Sequence, residues 1–507
     1  MDRRRTSASS FGATLFLCCA STACGRETVV LPGAAQDAAP AEVGVDAPTV
    51  AIDVTGRAPA SSELETHGTA LWMRQGQPGN VWPMRLAVAS DGTVAITGYF
   101  EWGPLHFDTE PPISGKSYDP DPSYIIVLET DGRVRWSRAL EYTSILAMSF
   151  DASGHLWVGG AFRDKSDFGG GTVSGPAGNV DRDAVLIEYD RAGAFVRSTE
   201  FGREVPGSTR WSAIESIAFD GDGHLVVSGH VAGAVDLGGT IVEHAAAPAS
   251  DGTPSSFAFF LASLEKADLH ARWARELDGV GIIEERVAVA RDGTIVIAGV
   301  ASAGADLGLG PLPSNGAFFL ELQADGTTAW STVWPWTPSS LQVLEPVDVA
   351  WRADGSVVAI VFGDPTPLGA APLGDGSDTT SSWVRLDSRG ALVSVRPFVH
   401  GERAVAFVMK DDDTSVVADV RHEPVADSSS TPDVVARLTA LNADGVVSWR
   451  RETNTGPVGA RWLRLAADPA GFLLGLGVID RPARFDLGNG LVVTTETTDT
   501  FVAKLLP

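Results

Sequence analysis

Bulky and small apolar residues alternate along the chain in short bursts that recur at intervals of 58 to 70 residues. Each burst brackets a tight turn that ends at Gly92, Gly154, Gly223, Gly293, Gly355, Asp413 or Gly471. Such a period takes precedence over any motif, because stacked copies of one supersecondary unit decide the whole fold. Six residues before each turn end stand Leu86, Met148, Ile217, Val287, Val349, Phe407 and Leu465, all apolar. The next position holds Ala87, Ser149, Ala218, Ala288, Ala350, Val408 and Ala466, mostly small. This alternation predicts a strand with one face packed on neighbouring sheets and the other turned to a crowded axis. After the turn, Val94, Leu156, Leu225, Ile295, Val357 and Leu473 share one position, broken by Ser415. Six residues beyond the turn end come Gly98, Gly160, Gly229, Gly299 and Gly477, with Val361 and Asp419 in the other two copies. Glycine inside a strand lowers stability, so its recurrence predicts a bend or a close backbone approach.

A third apolar strand follows in every unit, as in Tyr124 to Leu128, Ala184 to Ile187, Phe318 to Leu322 and Phe501 to Leu505. A second turn and an outer strand complete the unit. Gly132, Gly326 and Gly445 precede Trp136, Trp330 and Trp449 by four residues, and Trp273 takes the same place after Lys266-Ala267-Asp268. Units two and five substitute Gly193-Ala194-Phe195-Val196 and Gly390-Ala391-Leu392-Val393. The Asp-Gly pairs supply the positive φ that tight hairpins require. The last unit reaches Pro507 without an outer strand, while Gly68 and Trp72 repeat the four-residue spacing ahead of the first unit. The expected fold is all-β: a seven-bladed β-propeller of four-stranded antiparallel blades over residues 67–507, closed by an N-terminal strand that completes the last blade. Closure removes a sheet edge that would otherwise recruit other chains.

The run Asp499-Thr500-Phe501-Val502-Ala503-Lys504-Leu505, within the order turn, strand, Gly, third strand, turn and Trp, resembles the bacterial β-propeller repeat family known as SBBP. Asp167-Phe168-Gly169-Gly170-Gly171, Asp236-Leu237-Gly238-Gly239, Asp306-Leu307-Gly308 and Asp486-Leu487-Gly488 are similar to variants of that repeat in large-genome Gram-negative bacteria. The resemblance covers about residues 67 to 507 and is specific for architecture and nearly silent about activity, since one such fold hosts many functions.

Residues 1–23 read as a lipoprotein-type signal peptide. Arg3, Arg4 and Arg5 precede an apolar stretch from Phe11 to Ala20 that is too short to span a bilayer and suits the core of a secretory signal. Ser21-Thr22-Ala23-Cys24 resembles a bacterial lipoprotein signal, with Ser21 where Leu is usual, and the resemblance implies lipid on Cys24. Plain cleavage after Ala23, leaving a free thiol, is the simpler alternative. Cys18 and Cys19 leave with the signal, so the mature chain has no intramolecular disulfide. Residues 24–66, rich in Ala, Pro and Asp without a period, read as a disordered tether. The expected product is an exported monomer in the cell envelope, an outer-membrane lipoprotein held to the membrane through Cys24.

Lys+Arg 38 against Asp+Glu 64 gives a net charge of −26, a field that repels phosphates and argues against a nucleic-acid partner. His155 and His224 follow a turn Gly where Thr93, Thr294, Ser356 and Thr414 stand in other units, so they read as turn residues. His106, His230, His244, His270, His400 and His422 lack paired spacing, and no zinc motif, nucleophile elbow or phosphate loop occurs. Asp220-Gly221-Asp222-Gly223 and Asp411-Asp412-Asp413 resemble fragments of a calcium loop without its full oxygen set. The series Trp72, Trp136, Trp273, Trp330 and Trp449 is similar to the outer-strand Trp of quinone-cofactor dehydrogenases, yet packing between sheets explains the spacing without a cofactor. Accordingly no metal, cofactor or catalytic residue is assigned. The long stretches Asp108 to Ser123 and Glu243 to Ser256 are places where a rigid scaffold could present binding residues, or plain solvated connections. The reading that follows is a noncatalytic binding or scaffold module for an envelope protein or glycan, with outer-membrane protein assembly as one setting. The alternative is an envelope hydrolase or lyase whose acidic residues converge at the axial mouth.

Overall fold

Tight turns punctuate the described chain so regularly that almost every strand pairs with its sequence neighbour. The computed structural model describes residues 67–507 apart from 77–80, 101–103, 108–111, 114–121, 178–179, 250–251, 278–282, 336–343, 365–367, 369–379, 401–402, 423–433, 455–459, 480–482, 488–491 and 496–498. The signal and tether readings, Cys24 included, lie outside the described residues, as does most of the stretch from Asp108 to Ser123. Among the described residues no helix is long and apolar enough to cross a membrane.

The strands form seven four-stranded antiparallel blades. Blade 1 runs Val81–Val88, Val94–Phe100, Ser123–Leu128, Val134–Leu140, and blade 2 runs Thr143–Phe150, Leu156–Phe162, Asp183–Tyr189, Phe195–Glu200. Blade 3 runs Trp211–Phe219, Leu225–Leu237, Ala258–Leu264, Ala271–Leu277, and blade 4 runs Ile283–Val289, Ile295–Ala301, Gly316–Leu322, Thr328–Pro335. Blade 5 runs Glu345–Trp351, Val357–Gly363, Thr380–Leu386, Leu392–His400, and blade 6 runs Ala404–Met409, Ser415–His422, Val434–Leu441, Val447–Asn454. Blade 7 takes Ala460–Ala467, Leu473–Ile479 and Asp499–Leu505 from the C-terminus and Ala70–Gly76 from the N-terminus. Each inner strand touches the inner strands of the blades before and after it, and blade 7 returns to blade 1, so the ring is closed. The chain is a seven-bladed β-propeller, as its repeats predict.

One Asx side chain sets each hairpin turn. Where Asp151, Asp190, Asp220, Asp387, Asn442 or Asp468 opens the turn, its oxygen accepts amides two and four residues on. Where the turn opens otherwise, Asp91, Asp131, Asp292, Asp325, Asp354 or Asp412 caps it from the position before its end. The acidic excess is therefore partly turn chemistry. Asp413, the one turn end that is not Gly, adopts φ 62°.

The core is not central. Its seven large clusters each draw on two consecutive blades, as Ala95, Ile125 and Val127 of blade 1 pack on Val158, Val185 and Ile187 of blade 2. Both faces of every sheet are thus buried, which explains the unbroken apolar third strands. It also corrects the expectation for the small residue of the inner strand. Ala288, Ala350 and Ala466 pack half-buried into these clusters, because what the inner strand offers the axis is its edge and not a face.

Each inner strand carries a β-bulge, seen as a register shift one or two residues before Arg85, Ala147, Ser216, Arg286, Asp348, Ala406 and Arg464. The recurrent second-strand Gly answers this bulge. A Cβ on Gly98, Gly160, Gly229 or Gly477 would stand 2.0, 1.9, 1.9 or 2.3 Å from the carbonyl oxygen of Trp82, Ser144, Ala213 or Arg461. The close backbone approach expected at these positions is what the structure contains.

Candidate functional site

The Trp series clamps each blade to the next. Trp72, Trp136, Trp273 and Trp330 lie over Gly132, Gly193, Gly326 and Gly390 of the following blade, and Trp449 lies over Gly68. A Cβ on Gly390, for instance, would come 2.3 Å from the Trp330 ring. Two residues on, Arg74, Arg138, Arg275 and Arg451 donate to the carbonyls of Gly132, Gly193, Gly326 and His67. The arginine partner follows every Trp of the series except Trp330, where Thr332 donates to Gly390 instead. The Trp-to-Arg spacing of two residues is itself a signal in the repeats. Unit two uses Arg197, which donates to the carbonyls of Lys266 and Ala267 and stacks on Trp157. In blade 5 the third-strand Trp383 fills the place over Gly445. A shallow groove of ≈ 510 Å³ lies over Trp273; of its lining, Arg275, Gly326 and Thr328 already belong to this clamp, and Thr327 donates to Asp325.

The insertions between second and third strands also pack. Asp167, Asp236 and Asp306 cap turns in their Asp-Phe-Gly or Asp-Leu-Gly segments, and the apolar residue of each, Phe168, Leu237 or Leu307, is buried. Phe168 lends its carbonyl to Arg138 of blade 1 and to the Tyr189 hydroxyl. In Glu243 to Ser256, His244 reaches Ser256 at 2.9 Å and Glu276 at 3.4 Å, and Ala246 bonds Ser208. Most described residues of that segment are exposed, with Ala246 buried, so it is a largely solvated connection pinned at a few points.

His155 and His224 sit in turns as expected, with acidic partners that spacing did not reveal. His155 Nδ1 lies 2.7 Å from Glu188, and His224 Nδ1 lies 2.7 Å from Asp220. Asp151, His155 and Glu188 place ligand atoms within 4.8 Å of one another, the geometry of a cation site. Two cations already hold them: Lys266 Nζ is 2.6 Å from Asp151, and Arg197 Nε is 2.8 Å from Glu188. Burial works against the Asp151 charge, yet Lys266, the His155 amide and the Trp157 indole hold its carboxyl below the ordinary range. The group is a link between blades 2 and 3. The calcium-like runs are engaged likewise, Asp412 with Thr414 and Asp413 with Arg352. Melting curves with and without about 1 mM zinc or calcium are expected to superimpose, and a concentration-dependent rise would restore a metal site.

The axis gathers what this packing does not use. Immediately after the bulge, blades 1, 4 and 7 present Arg85, Arg286 and Arg464, and blade 5 presents Asp348. The bulged residue of blade 3 is Glu215. Arg85 Nη1 donates to Met84 O at 3.2 Å, Arg286 Nε to Val347 O at 2.7 Å and Arg464 Nη1 to Leu463 O at 2.7 Å. All three acceptors occupy the bulge position of their repeat, so a carbonyl freed by the bulge orients each guanidinium. His230 Nδ1 lies 2.9 Å from Glu215.

These groups sense one another across the ring. Burial first, then repulsion from Arg464 and Arg286, pushes the Arg85 guanidinium down to about 9, with Glu215 opposing. It remains charged at neutral pH, so the shift measures how poorly that charge is compensated. Burial raises Asp348 against the pull of Arg286 and Arg464. Glu215 pays the same burial penalty, but His230 and Arg85 hold it below the ordinary carboxylate range. Arg85, Glu215, Arg286, Asp348 and Arg464, all on the inner strands of their blades, are half-buried.

No protein-family model matches the chain, and no curated protein matches it. Among solved structures it is similar to Kuenenia stuttgartiensis hydrazine synthase, at 11% identity over 82% of this chain and 95% of that chain, TM-score 0.43. It is similar to the Dos1 propeller at 9% identity over 87% and 97%, TM-score 0.41. It is also similar to an ulvan lyase at 8% identity over 86% and 96%, TM-score 0.42. At such identities and scores these likenesses carry no argument about activity.

Proposed function

We propose that the protein is a noncatalytic binding module of the cell envelope, exported, lipid-anchored at Cys24, lifted by the tether of residues 24–66, and holding an envelope protein or glycan at its axial channel. One observation carries the binding part: Asp151, Glu188, Arg197 and Lys266 at the rim are spent on a blade-to-blade link, while Arg85 on the axis donates to the Met84 carbonyl and makes no ion pair within 4.0 Å among the described residues. The SBBP-like repeats and the Ser21-Thr22-Ala23-Cys24 segment support the bacterial lipoprotein part. Two or more acyl chains anchor stably where one does not. Membrane-extracted protein is expected to begin at Cys24 and to carry acyl mass there on intact-mass analysis. A chain of unmodified mass would remove the anchor. Pull-down with the lipidated protein tests the partner, with glycan and envelope-protein captures scored separately.

A second reading, an envelope hydrolase or lyase, has its own observation. Glu215 and Asp348 stand in one channel with carboxyl groups displaced in opposite directions, the pattern from which acid and base roles arise. Binding remains the better account because both carboxylates are engaged, Glu215 by His230 and Asp348 by the Val349 amide and two arginines. Depolymerisation of envelope glycan that ceases in Glu215→Gln and Asp348→Asn would reverse that preference.

A further inference from the structure

We infer that the interface between blades 5 and 6 is a seam poised to part from its turn-bearing end, admitting water while the rest of the ring stays closed. The residue that opens the second strand and the third-strand residue diagonally across from it are apolar in the other six blades. There they are buried against the preceding blade, as Val357 and Val384 are against blade 4. In blade 6 the same places hold Ser415 and Thr439, both fully buried beside Val417 and Leu441 on the face turned to blade 5. Among the described residues neither hydroxyl has a hydrogen-bond partner, and the buried Trp383 Nε1 of blade 5 has none either. Arg352 crosses the seam through Nη2, 3.2 Å from Asp413, while its buried Nε and Nη1 are likewise without an acceptor. Buried polar atoms left unmatched thus concentrate at one interface of the ring.

The clamp is incomplete at the same interface. Trp72 and Trp273 donate their indole N–H to the carbonyls of Thr130 and Ala324 in the following blade, at 3.0 and 2.8 Å. Trp383 reaches Gly445 from a third strand, and from there its N–H meets no such acceptor. Arg396 stands as far beyond Gly390 as Arg74, Arg138 and Arg451 stand beyond Gly68, Gly132 and Gly445, yet it is exposed. The opposite end of the seam is tied. There the Ala404 amide donates to Ser381 Oγ at 2.9 Å, and Arg450 Nη2 donates to the Phe398 carbonyl at 2.7 Å. The seam is hinged at one end and under-bonded at the other. Parting an apolar interface only exposes surface that water disfavours. Parting this one also gives unmatched donors and hydroxyls their partners, so local opening is easier here than between the other blades.

The test is thiol labelling of the full chain under native conditions, with single cysteines introduced at matched positions. Ser415→Cys and Thr439→Cys report on the seam, and Val357→Cys and Val384→Cys report on the interface of blades 4 and 5. Every one of these sites is fully buried, and each exchange changes side-chain size little. Peptide mapping separates the introduced thiol from the native cysteines, and rates in urea correct for intrinsic reactivity. The seam cysteines should label about tenfold or more faster than the blade 5 pair, because labelling of a buried thiol proceeds through local opening. Adding Thr439→Val to Ser415→Cys removes an unmatched hydroxyl at nearly constant size and should slow labelling severalfold. Melting curves establish that each variant is folded, and the two seam positions give independent readings should one variant fail to fold. Equal corrected rates at the seam and blade 5 sites overturn the inference, as does a Ser415→Cys rate that Thr439→Val leaves unmoved.

Discussion

A chain beginning at Pro78 is expected to melt well below the full propeller or to aggregate. It lacks Ala70–Gly76, the outer strand of blade 7, which pairs from Ala70 against Leu505 to Gly76 against Thr500. At roughly 0.5 to 1.5 kcal/mol per ladder hydrogen bond, that register alone amounts to several kcal/mol. Side chains add to the loss. Ala70 is buried in the core between blades 6 and 7, Trp72 covers Gly132 of blade 1, and Arg74 donates to the Gly132 carbonyl at 2.9 Å. Truncation would also expose the edge of Asp499–Leu505, whose apolar run Phe501-Val502-Ala503 favours pairing with other chains. Thermal melting and gel filtration read both effects, and a synthetic peptide of residues 67–76 added in trans should reverse them. An unchanged melting curve would show that the ring does not depend on this strand.

The second large effect is expected at Asp419→Ala. Asp419 replaces the recurrent Gly in the second strand of blade 6 and is fully buried, with its carboxylate 2.5 Å from Arg437 Nη2. Burial raises the Asp419 carboxyl, and Arg437 counters that rise. Removing the carboxylate takes from a guanidinium in the interface with blade 5 its closest described acidic partner, the half-exposed Glu452 lying farther off at 3.5 Å. Breaking a buried pair from one side costs about 3 to 5 kcal/mol. The double change Asp419→Leu with Arg437→Met should cost far less, because no charge is then stranded. Urea unfolding of the two variants measures the difference, and equal losses would refute the argument. The sign of the pH effect follows from the raised pKa. Between the unfolded and folded values the native state holds the proton more tightly, so this residue's contribution declines as pH rises through that window and is constant above it. Acid unfolding must come from carboxyls held low, such as Asp151 with Lys266.

The repeats announced most of the frame. The turn ends and the second-strand Gly each correspond to a local feature that the structure contains, whereas the Trp and Gly of the four-residue spacing meet between neighbouring blades. Two features departed. Trp383 on a third strand substitutes for the missing outer-strand Trp of blade 5, because what the clamp requires is a ring over Gly445 and several strand positions can deliver one. The arginine two residues after most of the clamp Trp residues was visible in the repeat and carried no recognised motif.

The candidate site was not legible in the same way. Arg85, Glu215, Arg286, Asp348 and Arg464 share a short stretch of their respective repeats, yet a column of unlike residues gives no periodic signal. The sequence by itself determined what acts within one repeat: turn chemistry, strand alternation and the glycine beside each bulge, all governed by residues near one another in the chain. It also determined closure, since the seventh unit wants a strand that only the N-terminal segment resembles. Tertiary structure alone decided which side chains face each other across the axis. That meeting joins positions hundreds of residues apart, and it arises only when interblade burial bends seven sheets into a ring and brings their inner edges together.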